Sequence, residues 1–352
     1  SEQQKNKFLK KGNKNMSDVL RVGVVGTGAI GRAHIDRINN ALQGAKVVAC
    51  SDVNVEFGKS VAEKYGCKFY EDGEAMIASD DVDAVVVTTI DEFHEKYVTA
   101  AVKAGKFVMC EKPLAPKADA CKRIMEAEMA GGKHLVQVGF MRRYDPGYNQ
   151  LKQLLDSGKY GEALMVHCCH RNATCPDYTT TAMSVENTMI HEIDVMRWLL
   201  GEEYDEVEVV FPKASRKSTE ILRDPQIMYL TTKSGVRIDV EAFVKCGYGY
   251  DIKCEVCCED GTLNLPEPAN AMVRTDAARV TPICKDWSER FPEAYNIEFQ
   301  AWINACKENR VDGPTAWDGY VGQVTATTAS FARDTQTKQK IVIEECPDFY
   351  KK

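Results

Sequence analysis

No apolar stretch of this chain approaches the roughly 18 residues that a membrane span requires. Its first residues, SEQQKNKFLKKGNKN, hold no apolar core of the kind that marks a secretory signal. A soluble, cytoplasmic protein is expected. A long basic run is also missing: 45 Lys and Arg stand against 52 Asp and Glu, leaving a net charge of −7. A surface that tracks nucleic-acid phosphates is therefore not expected, and neither is a membrane partner. Internal repeats and low-complexity tracts are absent too.

Cysteine is plentiful, 14 in all, but no disulfide framework goes with it. The cysteines are scattered through apolar segments such as FVMC and MVHCC, unlike the close spacing of a small secreted scaffold, and read as reduced core thiols. One CxxC, Cys254 to Cys257 in IKCEVCC, has no second pair at zinc spacing and reads as structural. No metal is expected.

At 352 residues the chain exceeds one typical domain. Residues 1–15 are polar and Lys-rich, precede Met16, and read as a disordered leader. From Leu20 onward, strand and helix patterns alternate: LRVGVVG, AIGRAHIDRINNAL, KVVACSDV, DAVVVTTI, HEKYVTAAVKAG, KFVMCEK. Near-continuous apolar strands separated by helices imply a parallel sheet covered on both faces, over residues 16–139. After Phe140 the strands EALMVHCCHRN, EVEVVFPKA, QIMYLTTKSG, VRIDVEAFV, YDIKCEVCCEDG and TLNLPEP mostly follow one another without crossover helices. Residues 140–352 are thus expected to form an α+β domain with a large, mainly antiparallel open sheet that binds substrate and drives oligomerisation.

Gly26-Thr27-Gly28-Ala29-Ile30-Gly31 is a GxGxxG run between the first strand and the first helix. The first glycine permits the turn, the second lets backbone approach a pyrophosphate, and the third lets helix pack on strand. The run alone is weak, but Asp52, followed by Val53, closes the second strand about 20 residues later. A carboxylate there accepts hydrogen bonds from a ribose and repels a 2′-phosphate. A Rossmann domain that binds NAD in preference to NADP is expected.

Glu111 and Lys112 in FVMCEKPLA end a buried parallel strand, where open α/β sheets hold their ligands. The Lys112 ammonium is suited to an alkoxide developing as hydride leaves carbon. A structural salt bridge between Lys112 and Glu111 is the alternative, and Pro113 introduces the option of a cis peptide.

In ENTMIHEIDVMRWLL, residues 186–200, helical periodicity lines up Asn187, His191, Asp194 and Trp198 as one polar stripe on a largely apolar cylinder. A zinc-protease HExxH fails because Val195 stands where the second histidine belongs. His191 is then either a satisfied core histidine or the base that an alcohol oxidation needs.

The combination GTGAIG, EKPLA and IHEIDVMRWL resembles the glucose-fructose oxidoreductase and inositol dehydrogenase (Gfo/Idh/MocA) family. VQVGFMRRYDPGY, HRN at 170–172, GYGYDI at 247–252, AYNIEF at 294–299 and GPTAWDGY at 313–320 are similar to its inositol-oxidising branch. The resemblance implies NAD-dependent oxidation of myo-inositol to 2-keto-myo-inositol (scyllo-inosose) in a homotetramer. It gives Lys112 to the reacting oxygen and His191 to the proton, and sets Arg142, Asn172, Tyr250 and Tyr295 along the polyol. Another polyol or sugar, such as scyllo-inositol or a glucose derivative, and a non-catalytic dinucleotide-binding regulator are the rival readings. Two departures stand out. The family usually carries Asp where this chain has Asn187, which would remove a charge that supports an imidazolium. IDEFH at 90–94 replaces the usual PNxxH, and His94 reads as a helix-start residue outside the site.

Overall fold

The computed structural model describes residues 19–351, so the leader expected over 1–15, and Met16, lie outside the described residues. Six strands, β1 (Leu20–Val25), β2 (Ala45–Ser51), β3 (Lys68–Tyr70), β4 (Ala84–Val87), β5 (Phe107–Glu111) and β6 (Val136–Gly139), pair in parallel in the order β3-β2-β1-β4-β5-β6. Their apolar runs are buried on both faces; every residue of β4 and β5 is buried. Helices α1 (Ala29–Asn40), α2 (Val55–Tyr65), α3 (Gly73–Ala78), α4 (His94–Lys103) and α5 (Ala118–Gly131) supply the crossovers. Strand order reverses between β1 and β4, so a crevice opens at their carboxyl ends.

The second sheet follows α6 (Pro146–Asp156). It comprises β7 (Ala163–Arg171), then, after α7 (Ile190–Leu200), β8 (Tyr204–Val210), β9 (Gln226–Thr232), β10 (Arg237–Phe243), β11 (Asp251–Cys258) and β12 (Gly261–Asn264). A small exposed hairpin, β13 (Val273–Thr275) with β14 (Ala278–Val280), precedes α8 (Pro292–Lys307), α9 (Ala316–Thr335) and the edge strand β15 (Gln339–Lys340). The order is β12-β11-β7-β10-β9-β8-β15, antiparallel except at β7–β10. That one parallel pair is possible because the chain between its strands contains α7, β8 and β9, ample length for a crossover. Burial alternates along β9, with Met228 and Leu230 on the inner face against Val195 and Met196 of α7 and Ala326 and Ala329 of α9. Cys254 is buried on β11 while Cys257, three residues on, points to the opposite face, so the two cannot clamp one ion.

The chain ends by returning to the first sheet. Phe299, Trp302 and Ile303 of α8 and Trp317, Tyr320 and Val321 of α9 join the core around β1, β4 and β5. A Thr315–Asp318 capping box starts α9. This return fixes the two sheets against each other and leaves a cleft between the ends of β4 and β5 and the start of α7. Among the described residues no helix is long and apolar enough to cross a membrane.

Candidate active site

The glycine run forms the turn from β1 into α1, and Gly26 and Gly31 each have a steric reason within the protein. Gly26 has φ +91°, and a Cβ there would lie 2.6 Å from the Thr88 carbonyl oxygen; one on Gly31 would meet the Gly26 carbonyl oxygen at 2.1 Å. A Cβ on Gly28 would meet nothing within 4 Å among the described residues, so that side of its backbone is open to whatever rests on the turn. It is also the N-cap of α1 and offers no side-chain cap, which leaves the first helical N–H groups, beginning at exposed Ala29, free for an anion. A cavity of ≈ 220 Å³ runs beside this turn, lined by Gly26, Gly28, Ser51, Asp52, Val53 and Thr88 among others. Asp52 Oδ2 accepts from Thr27 N and Thr27 Oγ1, both at 2.7 Å, and Oδ1 accepts from Asn54 N at 2.8 Å. The carboxylate is thus locked at the rim, where a ribose diol would meet it. An uncapped helix, an open glycine and a fixed acid match an adenine dinucleotide.

A second cavity of ≈ 330 Å³ lies at the cleft, and Thr89 borders both. From the Rossmann side its wall includes Ile30, Asp91, His94, Glu111 and Lys112; from the other side it includes Asn172, Asn187, His191, Tyr250 and Tyr295. Of the residues that the resemblance sets along the polyol, Asn172, Tyr250 and Tyr295 therefore come together with Lys112, Asn187 and His191. Ile30 joins them from the glycine turn, whereas Val53, 80% exposed, stays on the dinucleotide side. The Asn172 side-chain oxygen is buried without a hydrogen-bond partner among the described residues, an acceptor awaiting a donor.

Lys112 reaches the cavity from the end of β5. Its Nζ donates to the Asn187 carbonyl oxygen at 3.2 Å, and the Lys112–Pro113 peptide is cis. The expected alternative, a salt bridge to Glu111, is not formed. Glu111 Oε1 instead accepts from His34 Nε2 at 2.8 Å, and Oε2 accepts from the Lys112 backbone N–H at 3.2 Å. His34 Nδ1 in turn accepts from Arg37 at 2.5 Å, the arrangement of a neutral imidazole. Burial pushes His34 below its ordinary value, whereas for Glu111 His34 and Lys112 outweigh burial and hold the carboxyl low.

α7 is entered through a π-helical turn, Ser184–Met189, where the periodicity predicts uninterrupted α-helix. Asn187 lies in that turn, and its Nδ2 donates to Asp91 Oδ2 at 2.9 Å. His191, one residue into α7, has no hydrogen bond to either ring nitrogen among the described residues, so it is not the satisfied core histidine of the alternative reading. Burial drives its pKa well below the ordinary value, and Lys112, Arg142 and His170 add to the shift. The ring is a neutral imidazole with an open nitrogen on the wall.

Two parts of the expected pattern change. Arg142 is not on the cavity wall: 1% exposed, it pairs with Glu192, and its Nη2 lies 3.0 Å from His170 Nδ1. Glu192 requires this, since a carboxylate buried in an apolar helix face needs a cation; Met141 lines the cavity in its place. The stripe on α7 also divides. Asp194 turns to Arg143, at 2.9 and 2.5 Å, and Trp198 packs into the second core. Asp194 is held away from the cavity by Arg143, and Trp198, seven residues or about 10 Å along the helix from His191, lies too far to share it.

Sequence reasoning missed His170, Glu192, Asp91 and His94. His170 Nε2 lies 3.3 Å from the Tyr250 hydroxyl and so couples the buried Arg142–Glu192 pair to the wall, while burial pushes Tyr250 up to about 12. The signal for Glu192 was a charge inside an apolar run. His94 does begin α4, as expected, but its buried ring also lines the cavity, Nδ1 2.7 Å from the Pro113 carbonyl and Nε2 3.1 Å from that of Thr89.

Comparison with known proteins agrees with this architecture. Residues 20–140 match the Gfo/Idh/MocA model described as "Oxidoreductase family, NAD-binding Rossmann fold", and residues 152–341 match "Oxidoreductase family, C-terminal alpha/beta domain". Inositol 2-dehydrogenase of Klebsiella pneumoniae (strain 342) is 48% identical over 335 residues, 95% of this chain and 99% of that protein. The crystal structure of myo-inositol dehydrogenase from Lactobacillus casei in complex with NAD(H) and myo-inositol superposes with TM-score 0.92 at 40% identity, covering 95% of this chain and 100% of the other. Scyllo-inositol dehydrogenase from Lactobacillus casei, with bound NAD(H) and scyllo-inositol, gives TM-score 0.83 at 25% identity over 92% and 99%.

Proposed function

The chain belongs to the Gfo/Idh/MocA oxidoreductase family and is an NAD-dependent oxidoreductase, and on that footing we propose that it oxidises myo-inositol to 2-keto-myo-inositol. The observation that carries this reading is the open imidazole of His191 in one cavity with the Lys112 ammonium, beside the dinucleotide turn. Bound NAD supplies the acceptor for the hydride that leaves the carbinol carbon. His191 takes the hydroxyl proton; Lys112 holds the oxygen as it changes from hydroxyl to carbonyl, so that secondary alcohol and NAD⁺ become ketone, NADH and a proton. Asn172, Tyr250 and Tyr295 offer the remaining hydroxyls a ring of polar partners, as a substrate bearing only hydroxyls requires.

The myo isomer is preferred over scyllo because similarity to the myo-inositol enzyme is the greater, 40% against 25%. Assembly into a homotetramer through the open face of the seven-stranded sheet is part of the same proposal; Met165, Ile227 and Tyr229 on that face supply apolar area, and light scattering reads the mass. The reaction is tested by following NADH absorbance with a panel of inositols and sugars. Turnover with myo-inositol is expected, and an enzyme that ignores myo-inositol while oxidising another polyol would overturn the substrate assignment.

A further inference from the structure

We infer that Asp91 is a positioning residue of the polyol site, one that locks the Asn187 amide so that its oxygen, and not its NH₂ group, is presented as an acceptor to a polyol hydroxyl beside the reacting one; this rests on the polyol-oxidation reading above. The oxygen and nitrogen of an amide are nearly the same shape, and an unconstrained Asn presents either. A carboxylate only accepts hydrogen bonds, so Asp91 can face only the NH₂ side, at 2.9 Å. Oδ1 of Asn187 is then the end turned away from Asp91, and among the described residues it has no partner. Asn187 is held at a second point by Lys112 Nζ on its carbonyl oxygen. Both restraints come from the Rossmann side, so the residue is fixed across the cleft between the two sheets.

Asp91 is also the carboxylate on this wall with an oxygen to spare. Glu111 is engaged by His34 and by the Lys112 N–H, whereas Asp91 Oδ1 has no hydrogen bond among the described residues. The ionisable groups that share the cavity with the Asp91–Asn187 pair are His94 on α4, Glu111 and Lys112 at β5, His170 on β7, His191 on α7, and Tyr250 and Tyr295. Asp91 thus adds a negative charge to a wall whose base is surrounded by Lys112, Arg142 and His170.

The test exchanges the two side chains singly and together. Asp91→Asn frees the amide to turn, and kcat with myo-inositol is expected to fall about tenfold, on the order of one charge-assisted hydrogen bond. Asn187→Asp sets two carboxylates against each other, which is tolerated only while they share a proton. Its kcat profile should gain a new fall as pH rises, and its Tm relative to wild type should decline over the same range. The double variant Asp91→Asn/Asn187→Asp reverses donor and acceptor. It should recover to within about threefold of wild type and lose the added pH limb, because coupled partners are not additive. Losses that multiply in the double variant, or a flat Asn187→Asp profile, would overturn the inference. Wild-type inertness towards every polyol would overturn the reaction instead, and the Tm comparison, which needs no substrate, would still judge the pair.

Discussion

Lys112 and Asn187 meet across the cleft: the ammonium at the end of β5 donates to the carbonyl oxygen in the π-turn at 3.2 Å. Bound polyol is expected to share that ammonium, which is then aimed at the oxygen whose charge grows. Lys112→Met should lower kcat by about 10²- to 10³-fold, the usual loss for one such donor. Lys112→Arg keeps the charge but not the compact geometry and should recover only part of it. Steady-state kinetics with saturating NAD checks both; a Lys112→Met enzyme within about threefold of wild type would refute the role.

His191 gives a prediction with a definite sign. Burial first, then Lys112, Arg142 and His170, press its pKa well below 6.5, so the neutral, proton-accepting form persists into mild acid. The acid limb of kcat/KM should fall well below the ordinary histidine range, and His191→Ala should lose about 10²- to 10⁴-fold. Wild-type turnover by His191→Ala between about pH 6 and pH 9 would remove His191 from the mechanism. Stability follows the same direction. His34 and His170 are also lowered by burial, so the unfolded chain binds more protons than the folded one below 6.5. The contribution of these three rings is complete above that value and is progressively lost as pH falls from it toward their lowered folded values.

What the sequence made legible was whatever repeats with a period or stands at a chain-local spacing. The apolar strands, the glycine turn, Asp52 and the lysine ending β5 all follow from neighbours within a few residues. The site's second layer does not. Asp91 and Asn187 are 96 positions apart, and each reads separately as a departure from the family pattern; only the fold brings the two departures into contact. Arg142 lies behind the wall and away from its expected place for the same reason. Its pattern is that of a ligand-binding arginine, but its partner Glu192 lies 50 residues away on a helix face that counts as apolar. The π-turn was invisible because the hydrophobic positions of residues 186–200 satisfy an α-helical period.

Cofactor choice should depend on Asp52, but not on Asp52 alone. Its Oδ2 holds Thr27 inside the glycine turn through two 2.7 Å bonds, so Asp52→Ala removes both the ribose acceptor and a brace on the turn. NAD affinity should fall by about tenfold or more, while NADP, no longer facing a carboxylate, should gain. Thr27→Val separates the two effects. It removes the Oγ1 bond yet keeps Asp52, so it should weaken NAD modestly without improving NADP. Fluorescence titration with both dinucleotides reads this; an Asp52→Ala protein that still excludes NADP would place the discrimination elsewhere.

Glu298 on α8 is fully buried, and neither carboxylate oxygen has a partner among the described residues. Burial, followed by the charge of Glu111, pushes its pKa well above 4.5, against the pull of Arg37. The folded protein therefore keeps Glu298 protonated at pH values where the unfolded chain has released that proton. A raised carboxyl contributes fully below the unfolded value and is progressively lost as pH rises toward the folded one, at about 1.4 kcal/mol per pH unit within that window. Glu298→Gln is neutral at every pH. Its amide leaves a buried polar group unpaired too, but that penalty does not change with pH. The Tm difference between variant and wild type should therefore move steadily in the variant's favour as pH is raised above 4.5. Parallel Tm curves would mean that Glu298 ionises in the folded state, against the hydrophobic setting formed by Phe299, Trp302 and their neighbours.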